Sequence, residues 1–133
     1  MECPSTGSAC NHISRLDYDM NTVAVNLARL TALGVQVHIT ELDVSLPVDG
    51  DGMASEEDLR KLAAVYRGIV HACLQSPGCT AIQTWGFTDQ WSSIGSQSHH
   101  TRGAALPCDR TYQPKPAYHA ILEELASSKR VPR

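Results

Sequence analysis

The 133-residue chain lacks any apolar run long enough to cross a membrane, and it lacks an excess of basic residues. Eleven Lys and Arg stand against fourteen Asp and Glu, a formal net charge of -3. Nucleic acids and anionic membranes are held by basic surfaces, so neither is an expected partner. Met1-Glu2-Cys3-Pro4 has neither the basic start nor the apolar stretch of a signal peptide. No CxxC pair or Cys/His cluster has zinc spacing, and His99-His100 lies in a Gly/Ser-rich polar stretch that reads as a solvated loop, so no metal is expected. No internal repeat or low-complexity tract is visible. Five cysteines, Cys3, Cys10, Cys73, Cys79 and Cys108, cannot all pair within one chain. Cys73 and Cys79 flank a Ser-Pro-Gly turn, and from spacing alone they read equally as a disulfide or as two buried thiols.

What remains is the composition of a soluble globular protein. Residues 1–18 show no periodicity. Residues 21–33 read as a helix, with Asn21 as its cap, Val23, Leu27, Leu30 and Leu33 on one stripe, and Gly34 where a helix-ending glycine belongs. Val35 to Val44 is β-branched and reads as a strand. Strict alternation places Val37, Ile39, Glu41 and Asp43 on one face, and both faces are mixed, as in a strand covered on both sides. After a Gly/Asp loop, Ser55 and Asp58 form a capping-box-like start to a second helix. Its stripe runs through Leu59, Leu62, Ala63, Tyr66, Ile69, Val70 and Cys73. Ala81 to Phe87 reads as a second strand, residues 88 to 111 as a long polar stretch, and Pro116 as the first turn of a last helix facing the core with Ile121, Leu122 and Leu125. Strands separated by helices pair in parallel through right-handed crossovers. Two strands cannot make such a sheet stable, so the chain reads as a piece of a larger α/β fold.

In parallel α/β folds functional groups gather at the C-terminal ends of strands. Glu41 and Asp43 close the first strand, and Trp85 and Asp89 follow the second. Carboxylates can act as nucleophile or acid, and indole faces stack on pyranose rings, so this set suits sugar chemistry. Solvated acids at a loop edge are the plain structural alternative.

These residues fall into motifs. Ile39-Thr40-Glu41-Leu42-Asp43 resembles the ITELD signature of glycoside hydrolase family 10, the endo-β-1,4-xylanase family. Trp85-Gly86-Phe87-Thr88-Asp89 resembles its WGxTD segment, and residues 109–118 resemble the closing segment that ends in KPAY. Order and spacing agree along nearly the whole chain from about residue 10.

The resemblance implies a (β/α)8 barrel, of which this chain would supply the end of strand 6 through strand 8 and the last helix. Residues 1–133 would form a partial catalytic domain, with 1–10 a divergent or non-native start and 127–133 a charged tail. It implies retaining hydrolysis of internal xylosidic bonds without a cofactor. The substrate would be xylan or a xylo-oligosaccharide, the location extracellular, and the other partner the missing N-terminal barrel segment. Glu41 matches the nucleophile, and Asp43 matches an acid that supports a histidine, here His12. Trp85 matches a substrate tryptophan, and Cys73 and Cys79 fall where many members have a disulfide loop.

Three features depart from the pattern. Cys10 stands where glutamine is usual. The Ser-Trp pair after WGxTD would fall at Ser92-Ser93, so either Trp91 replaces the missing ring from two positions earlier or the subsite is altered. The acid/base glutamate belongs to a fourth strand outside this sequence, and Glu56, Glu57, Glu123 and Glu124 lie in helices and read as solvated or capping groups. The chain alone is therefore expected to be inactive. A non-catalytic polysaccharide-binding or degenerate domain is the alternative.

Overall fold

Asp19, not Asn21, caps the first helix. In the computed structural model, which describes residues 8–13, 16, 17 and 19–128, its carboxylate accepts from the backbone N–H groups of Asn21 and Thr22 at 3.1 and 3.2 Å. Helix α1 (Met20–Thr31) therefore begins one residue before Asn21, because a cap accepts from N–H groups two and three positions on. It ends at Thr31, so Leu33 lies beyond the stripe and is exposed. Gly34, at φ +78°, takes the left-handed conformation that turns the chain into the next strand.

Strand β1 (Ser8–Ile13) arises where no periodicity marked one. It pairs in parallel with β2 (Gln36–Leu42), and β2 pairs in parallel with β4 (Cys79–Thr84), giving a sheet in the order β1-β2-β4. The sheet has three strands where periodicity marked two. A short ladder, β3 (Leu46–Pro47) against β5 (Arg102–Gly103), lies in stretches that read as loop. Helix α2 (Glu56–Gln75) opens on Ser55, whose hydroxyl accepts from the Asp58 N–H at 3.1 Å. The polar stretch after β4 contains a 3-10 turn (Asp89–Trp91) and the short α3 (Ile94–Gln97), and α4 (Pro116–Ser128) closes the chain.

The core lies between α2 and one face of the sheet. Leu62, Tyr66 and Ile69 of α2 meet Ile39 and Leu42 of β2, with Val44 and Leu46 beyond the strand, all essentially buried. Each such side chain contributes about 1.5–3 kcal/mol by leaving water. Val65 and Ala72 are also buried on α2, widening the stripe read from the sequence. Helix α4 packs on α2 through small residues, Ala117 and Ala120, while Leu122 and Leu125 stay exposed. Cys73 and Cys79 are disulfide-bonded, joining the end of α2 to the start of β4.

Strict alternation along β2 fails. Ile39 and Leu42, three residues apart, share the core under α2, and the register slips against both neighbours between them. An extra residue at Thr40–Glu41 resets the parity of the strand, so Glu41 does not share a face with Val37 and Ile39.

Candidate active site

The bulge in β2 places Glu41 one residue before the strand's C-terminal end, half-buried. Bulges beside functional sites re-aim side chains in this way. On one side, His12 is the register partner of Glu41 across the β1–β2 ladder. The His12 side chain lies outside the described part of the structure. On the other side, the backbone N–H of Trp85 donates to the Leu42 carbonyl at 3.2 Å. Trp85 thus begins where β4 ends, and its ring is partly exposed. Gly86 follows at φ +96°, a conformation that lets the chain turn away at once after Trp85. His12, Glu41 and Trp85 therefore sit at neighbouring positions on one end of the sheet. Asp43, two residues on, is 8% exposed.

Behind this end lies a polar scaffold that was not legible in the sequence. The Tyr66 hydroxyl, fully buried, is 2.9 Å from the Ala105 carbonyl and 3.3 Å from the Leu42 carbonyl. Its proton can be shared between the two. Burial first, and then the carboxylates of Asp43 and Asp89, push the phenol far above its ordinary range, so Tyr66 is a hydrogen-bond donor at every working pH. Leu42 and Trp85 are thereby tied to the loop around Ala105.

Asp89, an acid candidate from its position after β4, is fully engaged. Its Oδ1 accepts from the Leu106 N–H at 2.9 Å and its Oδ2 from Lys115 Nζ at 2.6 Å, and both side chains of the ion pair are 8% exposed. Lys115 Nζ also donates to the Ala104 carbonyl at 2.7 Å. Burial pulls the Lys115 ammonium below its ordinary range, while Asp89 opposes that shift. The pair locks the WGFTD segment to the KPAY segment, so Asp89 is a structural acid here.

Trp91 is 77% exposed, and its indole N–H donates to the Tyr112 hydroxyl at 3.0 Å. Phe87 packs near Tyr112, with ring centroids 6.0 Å apart. Neither Phe87 nor Tyr112 was singled out by the sequence, although an exposed aromatic beside Trp85 is a usable signal. The helical glutamates are held in surface pairs: Glu57 with Lys61, Glu56 with Arg60, Glu123 with Arg67 and Glu124 with His71. A cavity of about 500 Å³ lies under the loops, lined by Asp49, Asp89, His100 and Arg110 among others, and neither Glu41 nor Trp85 lines it. Among the described residues, no group of three or more His, Cys, Asp or Glu could hold a metal ion.

The family model for glycosyl hydrolase family 10 matches residues 6–124. Endo-1,4-beta-xylanase B of Thermotoga neapolitana is 40% identical over 112 residues, covering 84% of this chain and 31% of that protein. Among solved structures, native xylanase 10B from Thermotoga maritima is 41% identical with a TM-score of 0.77, over 87% of this chain and 35% of that one. Xylanase 10B from Thermotoga petrophila RKU-1, in complex with xylobiose, is 37% identical with a TM-score of 0.78, over 87% of this chain and 35% of that one. The chain thus spans about a third of the length of these relatives, and its three-stranded parallel sheet is a partial piece of the (β/α)8 barrel that such xylanases adopt.

Proposed function

The chain belongs to glycosyl hydrolase family 10, and from its strand-end site we infer that it carries the nucleophile half of a retaining endo-β-1,4-xylanase. In this reading the chain supplies strands 6 to 8 of the barrel. The single observation that carries it is the placement of Glu41: half-buried at a bulged strand end, with His12 as its register neighbour and Trp85 beside it. Glu41 attacks the anomeric carbon and forms a glycosyl-enzyme. A second carboxyl, about 5 Å away, protonates the leaving oxygen and then activates water. That second group lies on a strand outside this chain, so the 133 residues alone give no turnover. Asp43 supports the nucleophile by orienting His12, and Trp85 and Trp91 offer stacking faces to xylan or a xylo-oligosaccharide. Secretion follows from the same family reading; no described helix is long and apolar enough to cross a membrane.

The test is a barrel completed with the N-terminal part of the Thermotoga neapolitana relative. Glu41→Gln should lower xylan turnover by roughly a thousandfold or more while leaving binding nearly intact. Asp43→Asn should be milder, because it disturbs support rather than the attacking atom. Equal, small effects would remove Glu41 from the mechanism. A second reading, a non-catalytic polysaccharide-binding remnant, draws on Ser92-Ser93 standing where the family's Ser-Trp pair would fall; it predicts binding but no turnover from the completed barrel.

A further inference from the structure

Glu41 stands at a break in the ladder of the sheet. The register slips against β1 between Asn11 and His12, and against β4 between Ile39 and Leu42. An extra residue leaves the ladder locally unpaired, so the position of a bulged residue depends on how firmly the chain is held on either side. Before the bulge, Ile39 is fixed by its register with Ile82 and by burial under α2. After it, Leu42 is the fixed point: register resumes there with Ile13 and with Thr84, and its side chain is fully buried. We propose that Tyr66 is a positioning residue for Glu41, acting through the Leu42 carbonyl. This rests on the xylanase reading and adds to it a buried residue of α2 that lies outside all three sequence motifs.

The Leu42 carbonyl is reached from two sides. The Trp85 N–H donates to it within the sheet at 3.2 Å, and the Tyr66 hydroxyl reaches it from α2 at 3.3 Å. A carbonyl oxygen has two lone pairs, so both contacts are made at once. Together they fix the peptide that leads from Leu42 to Asp43, one residue past Glu41. The same hydroxyl lies 2.9 Å from the Ala105 carbonyl. Two carbonyl oxygens, each with partial negative charge, thus converge on one proton, and that proton lets them approach. Leu42 and Ala105 are both fully buried, so loss of the proton would leave two buried oxygens to repel one another.

The far anchor is itself held on both sides. Ala105 lies between Ala104, whose carbonyl accepts from Lys115 Nζ at 2.7 Å, and Leu106, whose N–H donates to Asp89 Oδ1 at 2.9 Å. The Tyr66 hydroxyl therefore hooks the bulge of β2 onto the buried Asp89–Lys115 pair. Asp43 lies near enough for its carboxylate to act on the phenol. Tyr66 thus stands beside the strand exit that carries both acids, Glu41 and Asp43. A nucleophile in a retaining site must meet the anomeric carbon at short range and in a fixed direction. A misplacement of about 1 Å can cost a hundredfold in rate, while sugar rings bound elsewhere are held as before.

The test uses the barrel completed with the relative's N-terminal part and reads kcat and KM on xylohexaose. Tyr66→Phe keeps the ring that fills the core, and it should lower kcat about tenfold with KM within about twofold of the parent. Ile69→Val, a small deletion in the same core that leaves the hydroxyl in place, should change neither constant. An equal fall in Ile69→Val would reduce the effect to core packing and overturn the proposal. If Glu41→Gln in the same barrel keeps its turnover, the nucleophile reading falls and the proposal with it. If Glu41→Gln is inactive while Tyr66→Phe keeps its full kcat, or changes KM alone, Tyr66 has no positioning role and the nucleophile reading stands. A second measurement needs no turnover: carbonyl and amide chemical shifts of the 133-residue chain, with and without Tyr66→Phe. Changes at the Leu42 carbonyl that extend to the Glu41 and Asp43 amides support the proposal. Changes confined to residues 104–106 overturn it.

Discussion

Two regions of this molecule hold their shape by different means. Under α2 the sheet is held by aliphatic contact: Ile39, Leu42, Leu62 and Ile69 are buried with almost no polar partners. Beyond the strand ends, residues 85 to 116 contain little regular structure and are held by buried polar groups, chiefly the Asp89–Lys115 pair and the bonds around Ala104, Ala105 and Leu106. Aliphatic packing is tolerant of small changes, whereas a buried polar network fails when one member is lost. Glu41 stands at the end of the packed sheet, and Trp85 opens the region held by polar groups, so the two kinds of support meet at the candidate site. With little regular structure, this region takes its order from charge and hydrogen bonds.

The largest effect is expected of Lys115→Met. It leaves Asp89 buried and unpaired, and it should destabilise the chain by about 3 kcal/mol. Pairing it with Asp89→Asn should recover much of that loss, since the stranded charge disappears. Urea unfolding of the single and double variants measures both. A single variant as stable as the parent would mean that the loop is not held as described.

The next effect belongs to the packed region. Replacing Cys73 and Cys79 together by Ala opens the loop between α2 and β4 and should lower stability by about 2 kcal/mol through the unfolded chain. Because the bond sits at the far end of β4 from Trp85, the loop network should survive. Unchanged tryptophan emission at a lowered unfolding midpoint is the expected result.

Tyr66→Phe probes the join between the two regions. The ring still fills the core, but the fully buried Ala105 carbonyl loses the hydroxyl that donates to it. A cost of about 1–2 kcal/mol is expected in urea, with most of the loosening in the loop rather than the sheet. Amide hydrogen exchange would locate it: faster exchange around residues 104–106 supports the join, and uniform change along α2 argues against it.

Legibility in the sequence followed the same division. The three motifs, the Ser55 cap of α2 and its apolar stripe are local patterns, and local patterns can be read one residue after another. The break in β2 at Thr40–Glu41 was not readable, because alternation carries no mark of an extra residue until neighbouring strands impose their register. Strand β1 left no periodicity, because its pairing with β2 comes from the sheet and not from its own polar composition, and only the family resemblance implied a strand end there. Asp89 and Lys115 are 26 residues apart, and only the loop's path brings them together. The outward-facing Leu122 and Leu125 were misread because α4 packs on α2 through its alanines.

Glu41 as the attacking group is open to direct trapping. A barrel completed with the relative's N-terminal part would be treated with a fluorinated xylobioside that traps the glycosyl-enzyme, digested and mapped by mass spectrometry. A single label is expected on the peptide that contains residues 36–44, located at Glu41 by fragmentation. A label on Asp43, or on any other residue, would contradict it.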